Sequence, residues 1–378
     1  IFGFLRMGTS GLTAQAYGAH DLKEVTRILL RSTGISLMLA LALLILQYPI
    51  RLIAFELIDT SAEVQQLASL YFHICIWGAP ATLGLYSFSG WFIGMQNSRF
   101  PMFIAITQNI VNIVASLLFV FVFGMKVEGV ALGTLIAQYA GLFMAYLLWL
   151  RYYRPLRKYI SRKQLFTHDA MKRLFQVNRD IFLRTHSLVA VTVFFTSTGA
   201  AFGDVVLAVN TLLMQLFTLF SYIMDGFAYA GEALTGKYIG AGNRQELQRT
   251  IRHLFGWGIA LSLAFTLLYG IGGKEFLGLL TNEQSVISAS GDYFYWVLAI
   301  PLAGFAAFLL DGICIGATST NIMLKAMVVA SGSFFLIYYS LHNVLHNHAL
   351  WLGFIVYLAL RGIMQALLLN SSSLRTAR

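Results

Sequence analysis

The chain is poor in charge, in cysteine and in proline. Charged residues make up 11% of its 378 residues, and it has only two cysteines and five prolines. Cys75 and Cys314 both lie in apolar stretches, so no disulfide framework is expected. A phosphate-binding glycine loop, a serine nucleophile elbow and a paired-histidine metalloprotease motif are also missing. ATP-driven pumping and intramembrane hydrolysis therefore lack support, and the protein is not expected to be an enzyme.

What the chain has in abundance is apolar sequence. Hydrophobic residues make up 58% of it, and its mean hydropathy is +0.72. Runs of about 20 apolar residues recur, each long enough for a helix to cross the hydrocarbon core of a bilayer. The sequence predicts an all-α polytopic membrane protein with eleven spans. They cover residues 1–18, 26–50, 67–93, 100–123, 127–150, 181–202, 205–239, 251–271, 291–315, 322–341 and 349–369.

The basic residues orient these spans. If the chain alternates across the membrane, most Lys and Arg residues fall on one side, and only Arg51, Lys126 and Lys274 fall on the other. Basic residues stay preferentially in short cytoplasmic loops, so the charged side is predicted to be cytoplasmic. The net charge of +10 is explained by this pattern and by attraction to anionic lipid, so nucleic acid is not expected as a partner.

A repeat divides the chain into two halves. The segment Gly18–Arg27 reappears as Gly240–Arg249, and Gly90–Gly94 reappears at the same offset as Gly312–Gly316. The expected organisation is an N-terminal lobe over 1–150, a basic cytoplasmic linker over 151–177 and a C-terminal lobe over 178–378. The span at 181–202 has no counterpart in the first half. The intact protein is therefore expected to have one more helix and about 40 more residues at its start, giving two pseudo-symmetric six-helix bundles.

Four segments carry a family resemblance. They are Phe4–Ala19, Asn178–Asp180, Asp225–Ala230 and Leu310–Thr318. These segments resemble the MATE (multidrug and toxic compound extrusion) transporters of the DinF branch. The resemblance implies two six-helix lobes around a central cleft, in the cytoplasmic (inner) membrane of a bacterium. It also implies export of organic cations or amphiphilic compounds by a monomer in exchange for H⁺ or Na⁺, with no other cofactor. The coupling carboxylate best known in that branch lies on the first helix, which this sequence lacks.

Ionisable residues inside predicted spans are candidates for the site, because they are costly in a bilayer and usually face a cavity or a partner. The acids Asp225, Glu232 and Asp311 are the candidates for ion coupling or substrate binding. Asp225 and Glu232 lie two helical turns apart and share a face of one span. The alternative is that a base neutralises each acid. The bases that could form such structural ion pairs are Arg6, Arg184 and Arg361, with Arg184 the expected partner of Glu232.

Neutral polar residues give a second group of candidates. Asn109, Asn112, Asn210 and Gln215 could line a polar cavity, or they could simply bridge helices. His342, His346 and His348 lie close together in a predicted external loop. No acid or cysteine nearby completes a metal site, so no metal is expected.

The sequence leaves three functions open. A secondary antiporter that exports drugs or toxic metabolites by alternating access is the leading interpretation. The alternative is a flippase for lipid-linked or polysaccharide precursors, which would expose a large basic cavity to a pyrophosphate headgroup. An intramembrane acyl or glycosyl transferase is the third, and it would need polar catalytic groups clustered at a membrane interface.

Overall fold

The structure, a computed structural model, describes residues 2–57, 61–160 and 166–369. Over these residues the protein is helical, and the helices α1 to α14 follow one another along the chain. Their bounds are Phe4–Gly18, Leu22–Ile45, Gln47–Leu57, Ala62–Cys75, Ala79–Gly94, Arg99–Leu117, Val127–Tyr152, His168–Ala201, Asp204–Gly240, Arg244–Leu280, Gln284–Ser290, Phe294–Gly316, Thr320–Leu345 and Asn347–Leu368. The chain folds as two compact units that divide between Lys172 and Arg173.

Ten of the helical segments are long and apolar enough to cross a membrane, by length and composition, among the residues described. This agrees with the predicted polytopic all-α fold. The one remaining predicted span, 1–18, corresponds to α1, which has 15 residues. The segments α4 and α5 form one long span interrupted by a 3-10 turn at Ile76–Gly78, which ends two residues before Pro80. Pro301, in contrast, lies inside the continuous helix α12.

The duplication is visible in the turns. Asp21 accepts a hydrogen bond from the Glu24 backbone N–H at 2.9 Å and caps α2, and Asn243 accepts one from Glu246 at 3.0 Å and caps α10. Each cap supplies an acceptor for a backbone donor that the first turn of a helix leaves without a partner. The two caps occupy equivalent positions of the repeated segment, so the sequence repeat corresponds to a repeated structure.

Residues with positive φ follow the same offset. His20 pairs with Gly242, Gln96 with Thr318 and Gly124 with His346, with φ between 48° and 68° in all six. Positive φ is uncommon for residues other than glycine, so three such pairs in register are a specific sign of common ancestry between the two halves. The first pair follows the ends of α1 and α9, and the second pair follows the ends of α5 and α12. The third pair precedes α7 and α14.

Close helix contacts are repeated as well. A Cβ atom added at Gly90 of α5 would collide with the carbonyl oxygen of Arg6 on α1, and one added at Gly312 of α12 would collide with that of Ala228 on α9. The absence of a side chain lets the two backbones touch in each unit. The contact of α1 with α5 in the first unit therefore corresponds to the contact of the C-terminal half of α9 with α12 in the second.

Helix ends differ from the prediction around the linker and the external segments. Residues 154–159 of the predicted linker form a 3-10 turn, and α8 already begins at His168, well before the predicted start at 181. Residues 161–165 lie outside the described part. Helix α10 continues to Leu280, beyond the predicted span end at 271, and the short helix α11 follows. Polar turns at these helix ends concealed their true bounds, because hydropathy detects only the apolar part of a helix.

The core of the second unit is rich in aromatic side chains. Phe195 of α8 meets Trp351 of α14 with ring centroids 5.0 Å apart, and Phe220 of α9 meets Phe265 of α10 at 5.5 Å. Both pairs have edge-to-face geometry, which adds about 0.5–1.5 kcal/mol beyond the area buried. This packing fixes the helices that carry the candidate site.

Candidate functional site

The candidate site surrounds Asp311, which lies on α12 with 6% of its surface exposed. Its Oδ2 accepts hydrogen bonds from the guanidiniums of Arg184 on α8 and Arg361 on α14, the latter at 2.6 Å. Its Oδ1 accepts from Nε2 of Gln365 at 2.6 Å. One carboxylate thus joins three helices of the second unit. We call Asp311, Arg184, Arg361 and Gln365 the Asp311 cluster.

Local helix geometry aims these side chains at one point. Arg361 and Gln365 are four residues apart on α14, so they lie one above the other on the same face. The Arg361 guanidinium also lies over the rings of Phe308 and Tyr357, at 5.5 and 5.9 Å from their centroids. Phe308 lies one turn before Asp311 on α12, and its ring holds Arg361 against that helix.

The cluster has more positive than negative charge. Two guanidiniums contact one carboxylate, and all three side chains are at least nine-tenths buried within the unit. Among the described residues, Arg184 Nε, Arg361 Nε and Gln365 Oε1 have no hydrogen-bond partner. Removing one member of such a buried pair leaves an uncompensated charge, which typically destabilises a protein by about 3–5 kcal/mol. The cluster therefore holds α8, α12 and α14 together.

Asp225 and Glu232 lie elsewhere, on α9 of the same unit. Glu232 is fully buried and Asp225 is half-buried, and both belong to one continuous helix, two turns apart. The expected ion pair between Arg184 and Glu232 is wrong, because Arg184 pairs with Asp311 instead. The reason is the rotation of α8, which turns Arg184 toward α12. Aromatic packing of α8 against α13 and α14 sets that rotation, and it cannot be read from depth in the membrane alone.

The neutral candidates bridge helices or bond to their own backbone. Asn112 donates to Thr134 at 3.1 Å between α6 and α7, whereas Asn109 donates to the Ala105 carbonyl one turn earlier at 2.8 Å. Asn210 is buried and exchanges two hydrogen bonds with Asn347, at 2.8 and 3.0 Å. Gln215 is exposed on α9, and Arg6 is half-buried on α1. Within the second unit, the structure thus brings three of the sequence candidates together: Asp311, Arg184 and Arg361.

Sequence reasoning missed Gln365, Asn347 and Trp351. Gln365 belongs to the Asp311 cluster, and its position four residues after Arg361 was a signal that could have found it. Asn347 and Trp351 complete the buried network around Asn210, with the Trp351 indole donating to Asn210 Oδ1 at 2.9 Å. Asp180 was also missed. It is buried on α8, accepts from Thr320 at 3.2 Å and pairs with its neighbour Arg179 at 2.9 Å.

Of the three histidines, His348 packs among aromatic side chains at the start of α14. His348 Nδ1 accepts from the Trp296 indole at 3.1 Å and contacts the Tyr295 hydroxyl at 3.0 Å. The ring of Tyr293 lies 4.7 Å away from that of His348. In the part of the chain that the structure describes, no three His, Cys, Asp or Glu residues come together as metal ligands.

Comparison with known proteins gives consistent matches over most of the chain. The sequence model of the MatE family matches residues 1–118 and 181–339. The DNA damage-inducible protein F of Escherichia coli K12 is 37% identical over 365 residues, which cover 96% of this chain and 79% of that protein. A solved MATE structure in a bent conformation superimposes with a TM-score of 0.85 at 20% identity, over 97% of this chain and 82% of that chain. An outward-facing multidrug resistance MATE family transporter of the MOP superfamily gives a TM-score of 0.82 at 21% identity, over 97% and 83% of the two chains.

Proposed function

The chain belongs to the MatE family of membrane transporters, and we propose that it is a secondary active antiporter that exports organic cations or amphiphilic toxic compounds. The duplicated architecture supports this proposal, because two related bundles can rock about a central site and open it to alternate sides. Members of this family are transporters and not enzymes, so the proposed transport requires no cofactor beyond the coupling ion. The name of one structural relative, a multidrug resistance transporter, supports the proposed substrate class.

One observation carries the coupling step: Asp311 joins α8, α12 and α14 through a carboxylate buried between two arginines. In the arrangement described here, the two arginines stabilise Asp311 as an ion. A proton or Na⁺ would therefore bind Asp311 in a second arrangement of the helices, in which both ion pairs are open. A bound ion shifts a conformational equilibrium only by the difference between its affinities for the two states. That difference is large here, because Asp311 is paired with two arginines in one state and is released from them in the other. We therefore propose that protons entering from outside bind at Asp311 and are exchanged for substrate.

Asp225 and Glu232 complete the proposal as candidates for contact with the substrate. Both are carboxylates on α9, and they would attract a cation whose aromatic part stacks on the Phe and Tyr side chains in which the chain is rich. Arg6, Arg184 and Arg361 act as structural partners of acids in this proposal. We place the protein in the inner membrane of a bacterium, as a monomer.

A flippase for lipid-linked or polysaccharide precursors is the second candidate. The excess of guanidinium over carboxylate in the Asp311 cluster favours it, because a pyrophosphate headgroup requires positive partners. The two candidates differ in what Asp311 does. In an antiporter its negative charge is the binding site of the coupling ion, and in a flippase it only positions the two arginines.

The test is uptake of a fluorescent organic cation by inside-out vesicles under an imposed proton gradient and, separately, a sodium gradient. Asp311→Asn removes the charge and keeps the size of the side chain. Asp292→Asn is the matched control, because it makes the same chemical change at an exposed position between α11 and α12. We expect gradient-driven uptake to fall to background with Asp311→Asn and to be unchanged with Asp292→Asn.

Two results would overturn the proposal. Normal gradient-driven uptake by folded Asp311→Asn protein would remove Asp311 from coupling and leave antiport intact. Absence of uptake under both gradients with the wild-type protein would remove antiport itself, and translocation of a fluorescent polyprenyl pyrophosphate would then identify a flippase.

A further inference from the structure

A polar cavity of about 450 Å³ lies in the second unit, where α8 passes the turn between α12 and α13. Its wall on α8 includes Arg173, Arg179 and Asp180. Its opposite wall consists of Thr318, Thr320 and Asn321, at the end of that turn and the start of α13. The Asp311 cluster does not contribute to this cavity, and the proposed transport step does not use it.

The side chains that line the cavity carry two positive charges and one negative charge. Asp180 is its acid, and both oxygens are engaged: Oδ1 accepts from Arg179 at 2.9 Å and Oδ2 accepts from Thr320 at 3.2 Å. The lining therefore contains two guanidiniums and one carboxylate, and both oxygens of that carboxylate already accept hydrogen bonds. Arg179 directs its Nε and one Nη2 hydrogen toward Asp180, and its side chain remains 66% exposed, so its other N–H groups point to open space.

Arg173 lines the same opening, six residues before Arg179 on α8. Its Nη2 donates to the Thr318 hydroxyl at 3.2 Å, which holds the guanidinium over the turn. The two arginines are six residues apart on α8 and both line the cavity, so an anion between them would meet two charged planar groups. Guanidinium groups bind phosphate through paired N–H donors, and the side-chain amide of Asn321, which also lines the cavity, adds a further donor.

The sequence predicts that this end of α8 is cytoplasmic, because it continues from the basic segment 151–173. The cytoplasmic leaflet carries anionic lipid, and basic pockets between transmembrane helices on that side bind phosphorylated headgroups. We propose that the cavity binds a phosphate group between Arg173 and Arg179, supplied by an anionic phospholipid or by a small soluble phosphate compound. The bound phosphate links α8 to the turn between α12 and α13.

One turn of α8 connects the cavity to the Asp311 cluster. Asp180 and Arg184 are four residues apart on α8 and lie on the same face. An occupied cavity therefore steadies the stretch of α8 that carries Arg184 and holds it against α12. Occupancy is expected to stabilise the second unit whether the transported substrate is a drug or a lipid-linked precursor.

Binding can be measured with purified protein in nanodiscs of phosphatidylcholine alone and of phosphatidylcholine mixed equally with phosphatidylglycerol. The readouts are phosphatidylglycerol retained per protein by native mass spectrometry, and the midpoint of thermal unfolding. Inorganic phosphate and glycerol 3-phosphate added to the phosphatidylcholine discs form the soluble arm. The variants are Arg173→Gln, Arg179→Gln and the double variant, and Arg252→Gln is the control because it removes an exposed arginine of α10 outside the cavity.

We expect each cavity variant to weaken phosphatidylglycerol binding about fivefold, the double variant more, and Arg252→Gln to have no effect. If soluble phosphate stabilises the wild-type protein and this effect is lost in the double variant, the natural ligand is a soluble phosphate compound. If only phosphatidylglycerol stabilises the wild-type protein, the ligand is a lipid headgroup. Equal weakening by Arg252→Gln would overturn the site in favour of diffuse attraction to the surface. A double variant that responds like the wild type both to phosphatidylglycerol and to the soluble phosphates would overturn the site outright. Arg173→Lys and Arg179→Lys keep the charge, and partial recovery of binding with them would exclude misfolding as the cause of the loss.

Discussion

At the scale of single residues, Asp311 shows why a buried acid cannot be interpreted alone. It is one of three intramembrane acids that the sequence offers as candidates, and only the structure reveals that two arginines and a glutamine surround it. A carboxylate in that setting is stabilised as an ion, and its partners are destabilised when it is lost. Its pairing therefore makes it both a structural element and a candidate for coupling.

Replacing Arg361 by leucine tests the strength of the cluster. We expect Arg361→Leu to lower the free energy of unfolding by about 3–5 kcal/mol, since Asp311 would lose one of its two charged partners in a buried setting. Denaturant titration of the protein in detergent measures this loss. Arg252→Leu, at an exposed position on α10, should change it by less than about 0.5 kcal/mol. A loss for Arg361→Leu as small as that of the control would show that water reaches the cluster.

The two arginines should also be coupled energetically. Arg184→Gln and Arg361→Gln share the partner Asp311, so their effects on unfolding are expected to be non-additive by about 0.5–3 kcal/mol. A double-mutant cycle measures this interaction directly. Strict additivity would mean that each arginine is stabilised by other contacts and that the carboxylate does not connect them.

At the scale of elements, glycine controls how closely helices approach. Gly90 and Gly312 occupy equivalent positions on α5 and α12, and a side chain at either would meet a backbone carbonyl of the neighbouring helix. Backbone cannot move aside as a flexible side chain can, so both helix pairs depend on these positions. The contact is therefore a shared property of the two units.

Alanine substitution at these glycines measures that dependence. We expect Gly90→Ala and Gly312→Ala each to lower the free energy of unfolding by about 1–3 kcal/mol, the usual effect of overpacking. Gly332→Ala on α13 is the matched control, because a Cβ there meets open space. That control should be neutral or stabilising by up to about 1 kcal/mol, since alanine is the better helix former. Equal effects at all three positions would show that propensity rather than helix contact decides the outcome.

Helix caps test the repeat at the same scale. Asp21→Ala and Asn243→Ala each remove the acceptor for the first turn of a helix, and we expect each to destabilise by about 1 kcal/mol. Hydrogen exchange of the amides of Glu24 and Glu246 reports the loss locally. Faster exchange at only one of the two amides would mean that the turns, although similar in backbone, differ in the contacts that hold them.

At the scale of the whole molecule, the charge pattern and the ten spans found among the described residues predict an orientation in the membrane. Arg252 at the start of α10 should face the cytoplasm, and Asn343 near the end of α13 should face outward. Cysteine placed at each position in a variant lacking Cys75 and Cys314 can be labelled with a membrane-impermeant maleimide. We expect Arg252→Cys to react only in inside-out vesicles and Asn343→Cys only in right-side-out vesicles. The reverse pattern would invert the predicted topology and place the phosphate cavity outside.

The sequence by itself determined the class of protein, the approximate spans and the duplication. These properties are local or periodic: hydropathy is a sum over neighbouring residues, and a repeat at a constant offset is visible by direct comparison of the two halves. Even the capping residues Asp21 and Asn243 lie inside the repeated segment, so the turns could be anticipated together with it. Helix starts were less accurate, as α8 shows, because their first turns are polar.

Only the tertiary structure decided which polar residues meet. Arg184 pairs with Asp311 of a distant helix rather than with Glu232 as expected, and Gln365 joins them from a third helix. A helix can present any of its faces to a neighbour, and the face it presents depends on how the aromatic core packs around it. Sequence places a residue at a depth and on a face of its own helix. The rotation of that helix against the others, which brings ionisable groups into contact, follows from packing among residues far apart in the chain.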